Sequence, residues 1–96
     1  MIRSRTLLDR AGAQDIAVKA LTLLVADPER LARFLALTGL GPENIRAAAG
    51  SPGFLLAVLD HVAQDEELLL GLAREIGARP ETIIEARRLL APPEAG

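Results

Sequence analysis

Apolar positions fall at helical spacing in six short runs along this 96-residue chain, and proline or glycine stands at most of the gaps between them. The first run, Ala13 to Ala26, carries Ile16, Ala20, Leu21 and Leu24 on one stripe, with Lys19 and Thr22 off it. "DPER" opens the second: Asp27 is placed to cap free amides, Pro28 stands where a missing N–H costs nothing, and Glu29 complements the helix dipole. Leu31, Phe34, Leu35 and Thr38 form its expected buried face, and Gly39 its stop. A short third helix starts at Pro42. "SPGFLLAVLDHVAQ" begins a fourth, with Ser51 as cap and so many apolar residues that it is expected to be the central buried helix. Asp65 is expected to break the chain and cap a fifth, and Pro80 starts a sixth that ends near Leu90, before "APPEAG".

Laid against each other, segments 12–49 and 50–87 align without a gap and with ten identities, the best stretch being G-x-x-P-E-x-I-x-x-A. Either a duplication or shared helix punctuation accounts for this. In both cases each half spells helix, helix, turn, short helix, and neither is long enough to bury its apolar side alone. The expected fold is therefore all-α: a compact bundle of five to six short helices, readable as two pseudo-repeated three-helix units. A basic N-terminal tail (1–11) precedes a single domain (12–91), and a disordered tail (92–96) follows it. The halves differ where Arg30 matches Leu68, Ala32 matches Leu70 and Arg46 matches Ile84. Leu68, Leu70 and Ile84 thus either make the contact between halves or form a face for a partner.

Composition supports helices, since half the residues are apolar but only Phe34 and Phe54 are aromatic. The absence of cysteine removes disulfides, thiolate catalysis and the usual structural zinc ligands, and fits a reducing compartment. No secretory signal pattern and no membrane-length apolar run is present, so the expectation is a soluble cytoplasmic protein without a membrane role. Residues 1–49 hold seven basic and five acidic groups, and 50–96 hold four and eight. This balance argues against a general polyanion binder.

Chemistry-bearing constellations are few. His61 is the single histidine; beside Asp60 it could suggest a base and its orienter, but a lone histidine near the end of an amphipathic helix reads as structural. A triad with Ser51 fails, because ten residues of helix span about 15 Å. Asp65, Glu66 and Glu67 read as a solvated cluster at a helix start rather than a cation site. No phosphate-cradling glycine loop occurs. The expectation is a non-enzyme without cofactor or metal.

"LAREIGARPETIIEA", residues 72–86, resembles the helix-turn-helix of bacterial regulators through Ala73, Gly77 and Ile83. In that alternative, spanning residues 68–88, Arg79, Thr82, Arg87 and Arg88 would contact nucleic acid. Glu81 and Glu85 on the same helix argue against nucleic acid as the partner. More of the chain, about 15–90, resembles a family of small bacterial proteins known as a domain of unknown function. The likeness is carried by "DPERL", "FLALTGL", "IR" with its following alanines, "FLLAVLDHV" and "DEELLL". That resemblance implies a bacterial cytosolic, all-helical protein and brings no activity with it. The leading expectation is an interaction module, accessory to signalling or regulation, that meets an unknown protein partner or a second copy of itself.

Overall fold

A computed structural model describes residues 8–48 and 52–92, and every regular element among them is a helix: α1 (Arg10–Val25), α2 (Pro28–Thr38), α3 (Pro42–Ala48), α4 (Pro52–Ala63), α5 (Glu66–Ile76) and α6 (Pro80–Leu90). The boundaries have identifiable causes. Asp27 Oδ1 accepts from the Glu29 and Arg30 amides at 3.0 and 3.5 Å, and Asp65 Oδ1 accepts from the Leu68 amide at 3.3 Å. Asp65 therefore separates α4 from α5, as the sequence suggests. At the other ends Gly39 and Gly77 adopt φ of 77° and 68°, a left-handed conformation that costs glycine little and a residue with Cβ much more. The Ser51 cap and the C-terminal tail from residue 93 lie outside the described residues.

The start of α1 differs from the expectation. The helix begins at Arg10, ahead of Ala13, so Arg10 and Ala11 belong to it rather than to a basic tail. Asp9 is the cap, its Oδ1 accepting from the Gly12 amide at 2.8 Å. The extension has a use: Arg10 Nη1 donates to the Leu89 carbonyl at 2.8 Å, joining the first turn of α1 to the last of α6.

The core is wholly apolar among the described residues. Its three most extensive helix contacts join α1, α4 and α6 to one another, while α2 and α5 pack around this trio and Ala48 of α3 packs against the core. Ala13, Ala17 and Ala20 line the inner side of α1, and Phe54, Leu55, Val58, Leu59 and Val62 that of α4. Phe34 anchors α2, meeting the Phe54 ring edge-to-face at 5.9 Å between centroids. The rest of the expected α2 face is shallower: Leu31 and Leu35 are half-buried and Thr38 is exposed, its hydroxyl donating to the Phe34 carbonyl.

Helix ends recur at the offset of the sequence match. Val25 corresponds to Ala63, Pro28 to Glu66, Thr38 to Ile76, and Pro42 to Pro80. Five pairs of buried residues that share no identity follow the same offset: Ile16 and Phe54, Ala17 and Leu55, Ala20 and Val58, Leu24 and Val62, and Phe34 and Leu72. The Asp27 and Asp65 backbones are nearly superimposable, with φ of −122° in both and ψ of 108° and 106°. Asp27→Ala and Asp65→Ala should each lower unfolding free energy by about 1 kcal/mol in urea titrations. Unchanged midpoints in both would show that the caps do not hold these boundaries.

Candidate functional site

The three residues singled out by the mismatch between halves separate in the structure. Leu68 is 2% exposed and belongs to the core, so it cannot form a partner face in the folded chain. Leu70 and Ile84 are each 42% exposed, so they are not the buried contact between halves. Helical geometry explains the split. Leu68 and Leu70 are two positions apart, about 200° around the helix, and a side that buries one exposes the other. On α5 the inward side carries Leu68, Leu72 and Ala73, and the outward side Glu67, Leu70, Gly71 and Arg74.

Two hollows meet on this part of the surface. One, of about 260 Å³, lies where α2 and α5 begin and is lined by Asp27, Glu29, Arg30, Arg33, His61, Asp65, Glu67 and Leu68. Six of these are equivalent positions of the two halves: Asp27 with Asp65, Glu29 with Glu67, and Arg30 with Leu68. A second, of about 470 Å³, shares Arg30 and Glu67 with the first and continues over Leu23, Gly71, Arg74 and Glu75. His61 sits at the first hollow with its ring edge-on to Phe34, centroids 5.3 Å apart. Burial pushes its pKa below the ordinary value; Asp65 opposes that shift and Arg33 reinforces it. Four carboxylates against two arginines make the hollow acidic, yet no group of three or more potential ligands is placed to hold a metal ion among the described residues.

A family model described as "Protein of unknown function (DUF3572)" matches residues 10–93. The chain belongs to this family. No curated protein and no solved structure matches it. The match takes in all six helices of the DUF3572 domain, from Arg10 of α1 onward.

Residues of the helix-turn-helix alternative are also placed. Arg87 is paired with Asp60 of α4, Arg88 with Glu85, and Arg79 lies 3.9 Å from Glu81. Thr82 is half-buried and lines a hollow together with Leu8 and Leu89. Hydrogen bonding to Arg88 holds the Glu85 carboxyl below its ordinary range. Each of the three arginines is thus engaged by a carboxylate. No described helix is long and apolar enough to cross a membrane.

The residue that sequence reading passed over is Gly71. It stands mid-helix in α5, where glycine costs about 0.5–1 kcal/mol relative to alanine, and a Cβ built there meets nothing within 4 Å. Packing within the DUF3572 domain therefore does not require it. The usable signal was its counterpart in the alignment of the halves, Arg33, a good helix former at a position where the second half has the poorest one short of proline.

Gly71→Ala should raise unfolding free energy by about 0.5–1 kcal/mol in urea melts; a loss would reveal a packing role that the structure does not show. The lowered pKa of His61 predicts a separate effect. The unfolded chain takes up this proton first as pH falls, so the stability tied to neutral His61 is complete above about 6.5 and is lost on acidification towards the lower native pKa. Between about pH 7 and 5, His61→Gln should show a shallower fall in melting temperature than the wild type. Parallel curves would contradict the assignment.

Proposed function

We propose that this DUF3572 domain is a non-enzymatic, all-helical protein–protein interaction module of the bacterial cytoplasm, accessory to signalling or regulation, with a contact surface that includes Leu70 and Ile84. The carrying observation is that these two side chains, apolar where the first half has Ala32 and Arg46, remain 42% exposed after the core has closed, although Val18, Val25 and Leu37 are more exposed still. Leu70 lies on the outward side of α5 and next to Gly71, which lines the 470 Å³ hollow. The scaffold is read as a doubled three-helix unit, which the helix ends and buried pairs recurring at one constant offset support.

Nucleic-acid binding through Arg79, Thr82, Arg87 and Arg88 is the weaker reading, because a carboxylate lies beside each of these arginines and would repel a phosphate there. Replacing Leu70 and Ile84 together by serine should leave the melting temperature within a few degrees of wild type and abolish capture of protein partners, its own copies included. Leu68→Ala is the contrasting core change, expected to cost about 2–5 kcal/mol. Undiminished capture by the folded double variant would overturn the reading. A salt-sensitive gel shift on duplex DNA would favour its rival.

A further inference from the structure

We infer that the outward side of α5 is a self-complementary contact, on which a second copy of this chain docks antiparallel across a two-fold axis between Leu70 and Gly71. The inference rests on the reading that Leu70 is a contact residue, and it specifies the partner.

Four residues form the stripe: Glu67, Leu70, Gly71 and Arg74, at i, i+3, i+4 and i+7, opposite the buried Leu68, Leu72 and Ala73. Glu67 and Arg74 are both exposed, and among the described residues neither side chain makes an ion pair or hydrogen bond. They are about 10.5 Å apart along the axis, too far to pair within one helix. Both are equally distant from the point midway between Leu70 and Gly71. A copy of α5 laid antiparallel about that point sets Glu67 against Arg74 of the second copy, and Arg74 against Glu67 of the second copy. A parallel copy would set like against like. The charge pattern therefore selects a single orientation, and it is the one that closes as an isologous dimer.

The same register brings the two Leu70 side chains together on one flank and the two Gly71 residues together on the other. Leu70 thereby loses the exposure left by the fold. Gly71, with open space above it, allows the helix backbones a close approach that a larger side chain would prevent. Glu66 and Glu75, the next pair equidistant from the midpoint, are nine positions apart, about 180° around the helix. They leave the contact on opposite flanks instead of repelling across it.

The test is sedimentation of the full chain over a concentration series, with circular dichroism to verify folding. The wild type should dimerise reversibly. Glu67→Arg alone and Arg74→Glu alone should each weaken dimerisation by about tenfold or more, because each leaves like charges facing. An equimolar mixture of these two variants should recover it as a heterodimer, and the Glu67→Arg/Arg74→Glu double variant as a homodimer. Gly71→Leu should be folded and monomeric. A wild type that stays monomeric at the highest concentration reached overturns the proposal, as does a dimer indifferent to the charge exchanges. If partner capture still depends on Leu70 and Ile84 in either case, the interaction reading stands and only the self-pairing fails.

Discussion

Close packing along the alanine side of α1 is the constraint from which the rest of this domain follows. Ala13, Ala17 and Ala20 are fully buried at i, i+4 and i+7, and side chains this small let α4 and α6 settle against the same helix. The bulk set against those alanines comes from Phe54, Leu55, Val58 and Leu59 of α4 and Ile83 and Leu90 of α6, and α1 itself adds Ile16 and Leu24. Magnitudes show which interactions dominate. An aspartate cap contributes about 1 kcal/mol, whereas each fully buried leucine or phenylalanine contributes about 1.5–3 kcal/mol. Caps place the helix ends, and the aliphatic interior makes the arrangement stable.

The two halves use equivalent helices unequally. α1 and α4 form the centre, and α2 and α5 flank it with helix starts that converge on one hollow. Of the third members, α6 packs against both central helices, and among the described side chains of its counterpart α3 it is Ala48 that meets the core. The comparison of halves acquires physical content here. The exchange of Arg46 for Ile84 is not an exchange of surface for core, since both are exposed. Closure depends instead on Ile83, Ala86 and Leu90. Leu90 lies beyond the aligned segment, in the last turn of α6.

Helix number and most helix ends were legible because proline, glycine and aspartate act locally, through missing amides, positive φ and short-range hydrogen bonds. The start of α1 was not, because Asp9 has no following proline and the nearby arginines suggested a solvated tail; Arg10 is held by the carbonyl of Leu89, at the far end of the chain. Sorting Leu68, Leu70 and Ile84 needed only the helical period, which separates Leu68 from Leu70 once a register for α5 is chosen. The register itself depends on Leu72 and Ala73 facing the core, a tertiary fact. Pairing of the α6 arginines was likewise half legible: Glu85 and Arg88 are three positions apart on one helix, but Asp60 reaches Arg87 only through the packing of α4 on α6.

Gly71 and Arg33 condense the functional argument into one pair of equivalent positions. On α2 the position carries a long cationic side chain that reaches the acidic hollow, and on α5 it carries no side chain at all. Intramolecular packing accounts for neither choice: Arg33 makes no ion pair or hydrogen bond among the described residues, and a Cβ at Gly71 would meet open space. A helix that forgoes about 0.5–1 kcal/mol of its own stability beside an exposed leucine, between opposite charges left unpaired, is the feature on which the proposed self-contact rests. The hollow at the start of α5, by contrast, carries an excess of carboxylates beside a histidine whose pKa burial lowers.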